Sequence, residues 1–357
     1  MKKYVTLGEV CTKGSSSIAQ KDIEQNNGSY GIYGASGYIK DVDFYHQDKP
    51  YIAVVKDGAG IGRTMLLPEK TSIIGTMQYL IPNDDVCVEY LYYAVTYMNL
   101  AKYFSGATIP HIYFKDYQKE KLPLLTIEEQ RKIADNLRKI DRLIELCSGI
   151  LQKLDVLVKS RFVEMFGGIT ERRKLEEYAD LITKGASPKW QGIDYAEEGT
   201  LFVTSENVRE GYLDFTKKKY LPNDINKILP RSVLKRNDIL INIVNASIGR
   251  VAVYDSDELA NINQAVALVR LKPNVLNTSF LLTFLNSDEA LRAYDFMKVG
   301  GDKANLSLKN ISDLLIPVAD LELQEQFAAF VEQTDKSKFI AINIKKIIRR
   351  VRLNDQF

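Results

Sequence analysis

The side chains best suited to chemistry in this sequence are cations, amides and aromatics set in stretches broken by glycine and serine. The first half offers Lys13, Ser15, Ser16, Tyr30, Tyr33, Tyr38, Lys56 and Arg63; the second offers Lys184, Lys189, Trp190, Asn207, Arg209, Lys217, Lys218, Lys219, Asn245 and Arg250. Arginine and asparagine can each make paired hydrogen bonds to base edges, guanine and adenine respectively. Lysine and serine suit phosphate oxygens. For any one of these residues a solvated face is the simpler reading. Arg63 and Arg250 stand apart because each closes the same tripeptide, Ile-Gly-Arg, and even a repeated arginine can serve structure alone. The run Lys217 to Lys219 supplies electrostatic attraction rather than sequence reading.

Catalytic patterns are missing. The stretch Gly58 to Gly62, GAGIG, lacks the spacing of a dinucleotide loop and runs on towards Pro68 instead of opening a helix, so it reads as a glycine-rich hairpin. There is no Walker A sequence. The ten prolines are never adjacent, which removes the NPPY or DPPY element of amino-methyltransferases, and no Glu is followed two residues later by Lys, as a PD-(D/E)xK nuclease centre requires. His46 and His111 are the only histidines, too few for a histidine-based metal site, and His111 after Pro110 reads as a surface or turn residue. No active site is expected on this chain, and no metal or other cofactor of its own.

Composition is that of a globular protein: 45% hydrophobic, 26% charged, and 20 tyrosines against one tryptophan. A net charge of +2 permits nucleic-acid binding without showing the basic footprint of a protein that binds DNA unaided. Cys11, Cys87 and Cys147 have neither metal nor disulfide spacing and read as reduced, buried thiols of a cytoplasmic protein. No apolar run is long enough to span a bilayer, and MKKYVTLGEV lacks the apolar core of a signal peptide.

The elements that would position the polar residues come in two copies, as expected for 357 residues. From Met1 to about Asn83, short β-prone runs such as Tyr51 to Lys56 and Ser72 to Ile81 alternate with turns; a helix follows over about Val86 to Ala101. Pro123 then leads into a long helix from Thr126 to Gly167. Its apolar residues Ile133, Leu137, Ile140, Ile144, Cys147, Leu151, Leu154 and Val158 follow the four-three spacing of a coiled-coil seam. Thr126 and Glu129 form a capping box, and Gly167 and Gly168 permit a left-handed stop.

After Gly168 the order recurs. Thr12 to Gly14 finds Thr183 to Gly185 at an offset of 171, Gln78 finds Gln264 at 186, Ile61 to Arg63 finds Ile248 to Arg250 at 187, and Tyr90-Leu91 finds Phe280-Leu281 at 190. Gly106, Lys115, Pro123, Gln130 and Asp141 find Gly300, Lys309, Pro317, Gln324 and Asp335, all at 194. A drifting offset that locks describes two copies with loop insertions in the second and a fixed helical ending. The second helix, about Leu321 to Leu353, has a more polar seam of Phe330, Thr334, Ser337, Ala341, Ile344, Ile348 and Val351. Neither helix can bury its stripe alone, so antiparallel pairing of the two is the economical arrangement; docking of each helix on its own domain is the alternative. The fold class is therefore α+β: two mixed α/β repeats separated by a long antiparallel two-helix coiled coil.

The junctions KLPLLTIEEQRKIADNLRKIDRLIE at 121–145, LVKSRFVEMFG at 157–167 and LLIPVADLELQEQFAAFVEQTDKSKFI at 314–340 resemble those of the specificity subunit of type I restriction-modification systems. In the second junction Thr334-Asp335 replaces Ile140-Asp141. The resemblance implies target recognition domains at 1–125 and 168–319 and long helices at 126–167 and 320–353. It implies that each domain reads one half of a bipartite, asymmetric double-stranded DNA site while the coiled coil fixes the spacer. It further implies partners: methyltransferase subunits that hold S-adenosylmethionine, and a nuclease or translocase subunit that uses ATP and Mg. The DNA-contact residues would then come from Lys13, Ser15, Tyr30, Tyr33, Lys56, Arg63, Lys184, Lys189, Trp190, Asn207, Arg209, Asn245 and Arg250. A coiled-coil interaction scaffold without DNA specificity is the reading from another functional class.

Overall fold

The computed structural model describes residues 3–106, 109–300 and 304–354. Met1 and Lys2 at the start of the expected first domain, and the Val351 side chain of the expected seam, lie outside the described residues. The chain forms two compact units, Met1–Ser148 with Asn343–Phe357, and Gly149–Ile342, so the division falls within both long helices.

In the first unit a four-stranded antiparallel sheet runs in the spatial order Cys11–Ser15, Met77–Pro82, Tyr51–Val55, Thr64–Leu67. All five residues of Tyr51–Val55 are buried, which is why that strand reads as an unbroken apolar run instead of alternating. A three-stranded sheet orders Gly37–Val42, Tyr30–Gly34 and Ser72–Ile73, the last pair parallel, and a two-stranded ribbon joins Lys3–Thr6 to Lys121–Leu124. The expected run Ser72 to Ile81 is thus two strands, belonging to different sheets. The helix expected to about Ala101 is Val88–Tyr97; Asn99, with φ 49, breaks it before a 3-10 turn at Leu100–Tyr103.

The second unit repeats this plan strand for strand. Ala179–Lys184, Val266–Leu271, Asp238–Asn242 and Val251–Tyr254 make the four-stranded sheet, and Tyr220–Leu221, Thr200–Val203 and Ala260–Ile262 the three-stranded one, again with its last pair parallel. The ribbon pairs Arg172–Lys174 with Leu315–Pro317. Helix Thr278–Leu285 takes the place of Val88–Tyr97, and an additional helix, Asp288–Met297, follows it.

The sheet register corrects two of the sequence equivalences. Val55 pairs with Met77 as Asn242 pairs with Val266, so Gln78 corresponds to Ala267; Gln78 is buried whereas Gln264 is an exposed turn residue. Ser15 faces Gln78 as Lys184 faces Ala267, so Lys184 stands where Ser15 stands, and the matching Thr-Lys-Gly triplets are displaced by two residues. A displacement of two keeps every side chain on its own sheet face, which is how the similarity arises without equivalence.

The long helices span Ile127–Phe166 and Leu321–Asn354. Thr126 and Glu129 form the expected capping box: Glu129 N–H donates to Thr126 Oγ1 (3.3 Å) and Thr126 N–H to Glu129 Oε2 (2.9 Å). A glutamine one residue further on ties each helix to its own domain. Gln130 Oε1 accepts from Cys87 N–H (2.8 Å) and its Nε2 donates to Leu125 O (2.9 Å) and Asp85 O (3.2 Å). Gln324 Oε1 accepts from Asn277 N–H and its Nε2 donates to Ala319 O, both at 2.9 Å. Cys87 and Asn277 cap the domain helices, so one amide joins two helix starts that would otherwise bury unpaired backbone groups.

Within the second unit the helices run antiparallel. Phe327 packs edge-on against Phe166 (5.5 Å between centroids), and eleven residues on in one helix and back in the other, Lys338 Nζ lies 2.8 Å from Asp155 Oδ1. In the first unit Lys345 Nζ donates to Ser148 Oγ at 2.7 Å, one heptad further in the same register. The second seam therefore differs from the expected one. Thr334, Ala341 and Ile348 hold their places, but Ser337 and Ile344 are exposed, and Lys338 and Lys345 occupy the seam beside Phe327 and Val331. The lysine stems cover apolar surface while the ammonium groups find Asp155 and Ser148, a polar pairing that fixes register.

Candidate nucleic-acid interface

The tripeptide Ile-Gly-Arg closes the turn between an inner strand of each four-stranded sheet and the edge strand that follows it, and the turns are alike bond for bond. Gly62 N–H donates to Val55 O (2.8 Å) and Val55 N–H to Arg63 O (2.9 Å); Gly249 N–H donates to Asn242 O (3.0 Å) and Asn242 N–H to Arg250 O (2.9 Å). Gly62 (φ 78) and Gly249 (φ 82) take the left-handed conformation glycine tolerates. A Cβ on Gly62 would strike the Ala101 backbone, and one on Gly249 would lie 2.7 Å from the Tyr294 ring. Each glycine thus seats the turn against the domain's helical layer.

A second segment buttresses each turn. Ser105 and His111 exchange backbone hydrogen bonds, as Val299 and Asn305 do. Gly58 N–H donates to Pro110 O (2.9 Å) and Ile112 N–H to Lys56 O (2.9 Å); Asn245 N–H donates to Ala304 O (2.8 Å) and Leu306 N–H to Ile243 O (2.9 Å). Asp57 bridges His111, and Val244 bridges Asn305. On this shared frame the side chains diverge. His111 Nδ1 lies 2.7 Å from Asp57 Oδ1, whereas Val244 gives Asn305 nothing to pair with. Neither Asp57 nor Asn305 stands out in the sequence, where His111 reads as a surface or turn residue. The block at offset 194 aligns His111 with Asn305, but unlike residue types hide the equivalence.

Arg63 and Arg250 are both exposed. Arg63 Nε makes a long bond of 3.4 Å to Gly60 O, and the Arg250 guanidinium has no hydrogen bond or ion pair to a described residue. Lys56 is half-buried, its Nζ 3.9 Å from Asp57 Oδ2, and Asn245 is exposed at φ 55. Lys13 and Ser15 project from the edge strand of the first large sheet, and Lys184 from that of the second. Lys189 and Trp190 sit on a 3-10 turn, with Trp190 88% exposed, a large apolar surface left to solvent. Tyr30 stacks edge-on with Tyr45 (4.8 Å) and Tyr33 with Tyr38 (5.8 Å), which half-buries the first two. Arg209 lies 3.6 Å from Asp214 Oδ2, and Lys218 and Lys219 pair with Glu258 (3.8 Å) and Glu206 (2.8 Å).

Asn207 departs from expectation. It is 4% exposed; its Oδ1 accepts from Thr204 N–H and Oγ1, and its Nδ2 donates to Asp214 O and Lys217 O. Every polar atom is spent on folding the 204–217 loop, so Asn207 has no hydrogen bond to offer a base.

Among the described residues, no group of three or more His, Cys, Asp or Glu is placed to hold a metal ion. Burial pushes the Cys11 thiol up to about 12 and raises Cys87 as well, the reverse of an activated nucleophile. No helix among the described residues is long and apolar enough to cross a membrane.

Two copies of one frame, alike in backbone and unlike in exposed side chains, suit a protein that makes two related but different contacts. The family model described as type I restriction modification DNA specificity domain matches residues 2–156 and again residues 170–350. The chain belongs to this family. The MjaVIII specificity subunit of Methanocaldococcus jannaschii is 25% identical over 309 residues, which span 80% of this chain and 72% of that subunit. The EcoBI specificity subunit of Escherichia coli is 22% identical over 258 residues, 64% of this chain and only 54% of that subunit. A crystal structure of the S subunit of the M. genitalium type I system superposes with a TM-score of 0.60 at 16% identity, covering 99% of this chain and 94% of that one. A chain from a study of assembly and conformational transition of the type I system superposes equally well, at 0.60 and 16%, covering 98% and 95%. At such identity these two structures establish the shared fold of the specificity family.

Proposed function

We propose that this specificity-family chain is the non-catalytic sequence-reading subunit of a type I restriction-modification complex. Each repeat reads one half of a bipartite, asymmetric site on double-stranded DNA, and the paired helices set the spacer and dock methyltransferase subunits. The observation that carries this reading is the Ile-Gly-Arg turn, built twice with the same backbone bonds and the same exposed arginine. Arg63 and Arg250 take the central role, with Lys13, Ser15, Lys56, Lys184, Lys189, Arg209 and Asn245 contributing phosphate or base contacts and Tyr30, Tyr33 and Trp190 apolar surface. Exposed Leu143 and Leu146 in the first unit and Val156, Leu157 and Val163 in the second give the first long helix an apolar surface for those partners. S-adenosylmethionine would reside on the methyltransferase, and ATP and Mg on a nuclease or translocase subunit.

The test is to delete one heptad pair from both long helices and sequence the methylome of cells carrying the complete system. A shorter spacer between unchanged half-sites is expected. An unchanged spacer overturns the ruler role, and absence of any chain-dependent methylated motif favours the scaffold reading.

A further inference from the structure

The Ile-Gly-Arg tripeptide cannot by itself distinguish two different half-sites, because both repeats carry it. Discrimination needs a position where the frame is the same and the chemistry is not. His111 and Asn305 occupy such a position: each exchanges backbone hydrogen bonds with the residue six before it, and each bridges the residue before the turn's first left-handed position, Asp57 before Gly58 and Val244 before Asn245. We infer that His111 and Asn305 are specificity-determining residues, each reading a base edge of its own half-site from the segment that buttresses the arginine turn.

The chemistry of the two positions differs in a definite way. Against the Asp57 carboxylate oxygen at 2.7 Å, His111 Nδ1 is the donor, so the ring is oriented and Nε2, which has no partner among the described residues, is the atom left to offer. Tyr113 stacks on the same ring at 6.3 Å, and Lys56 lies beside Asp57. Asn305 is exposed, and its carboxamide makes no hydrogen bond to a described residue, which leaves both an acceptor and a donor for the paired recognition that suits adenine. A single oriented ring nitrogen and a free carboxamide select different bases. Backbone hydrogen bonds tie each segment to its arginine turn, so His111 and Arg63 belong to one loop frame and Asn305 and Arg250 to the other.

This inference rests on the DNA-reading function proposed above, and one experiment separates the two. The full-length chain, assembled with its methyltransferase subunits, selects from a randomised double-stranded DNA pool, and bound sequences are read. Wild-type enrichment of a two-part motif is required first; no motif overturns both the function and the inference. Given a motif, His111→Asn should change the preferred base at one position of one half-site by about tenfold or more, and Asn305→Ala should do so only in the other half. Motifs unchanged in both variants, or weaker binding spread evenly over all sequences, overturn the inference while leaving the function standing. Asn305 makes no side-chain bond, so its variant should fold normally and keeps the test open if His111→Asn loses stability with the Asp57 contact.

Discussion

The two repeats fasten the same backbone with different side chains. In the second unit Phe327 is fully buried beside Phe162 and Phe166, which in turn pack on Phe280. At the equivalent helix start the first unit has the half-buried Ile133, and buries Ala134 and Leu137 in one cluster with Tyr90 and Leu91 instead. The glutamine anchor is reversed in strength: Gln130 makes three side-chain bonds and Gln324 two. What is identical is backbone geometry at the turns; what varies is how volume is filled and which polar atoms are left exposed. Volume can be filled in many ways, whereas a left-handed glycine pressed against a neighbour has no substitute.

Seven substitutions, grouped in four tests, would break or sharpen that contrast. Phe327→Ala should produce the largest loss, about 3–5 kcal/mol, because the aromatic cluster cannot close over the cavity. Ile133→Ala should cost less; equal losses in urea unfolding would erase the distinction between aromatic and aliphatic anchoring. Next come the turn glycines: Gly62→Ala and Gly249→Ala each carry about 1–2 kcal/mol for the left-handed backbone plus about 1–3 kcal/mol for overlap. Gly62→Ala should be the worse, since its Cβ meets Ala101 backbone and not a ring, and differential scanning calorimetry would rank the pair. Gln130→Ala should lower stability by about 1–3 kcal/mol by stranding a buried N–H, and Gln324→Ala by less, having fewer bonds to lose. The smallest effect is a gain. Gly149 lies inside the first long helix, where an added Cβ meets nothing within 4 Å, so Gly149→Ala should raise stability by about 0.5–1 kcal/mol. A neutral or negative result would mean that the helix uses the glycine for bending.

Most of the architecture was legible from period and order. The Thr126 cap, the first seam and Gln130 follow from residues that act locally, and the fixed offset of 194 carried Gln130 to Gln324 in the second copy. The second seam was misread in its centre because a lysine stem packs like a hydrophobe while its charge reads as surface; Lys338 and Lys345 belong inside only once Asp155 and Ser148 face them. Strand equivalence failed at Gln264 because a turn residue and a buried strand residue share a letter. In the loops, the matching turns at Arg63 and Arg250 were legible through the glycine that precedes each arginine. Asn207 was misassigned since nothing in one sequence tells a loop-tying amide from an exposed one, and the equivalence of His111 and Asn305 escaped because the two residue types differ.

The central claim is that one frame carries two readings through a few exposed positions. It is tested most directly by giving the first turn the side chains of the second, with Asp57→Val, Gly58→Asn and His111→Asn in one chain, and sequencing the methylome of cells that carry it with the complete system. Gly58 (φ 91) has open space around its Cβ, and Asn245 already shows that asparagine is accepted there, so the frame should survive. The expected result is a first half-site shifted towards the second, with the second half and the spacer unchanged. A first half-site that stays as it was, or a change in both halves together, would contradict it.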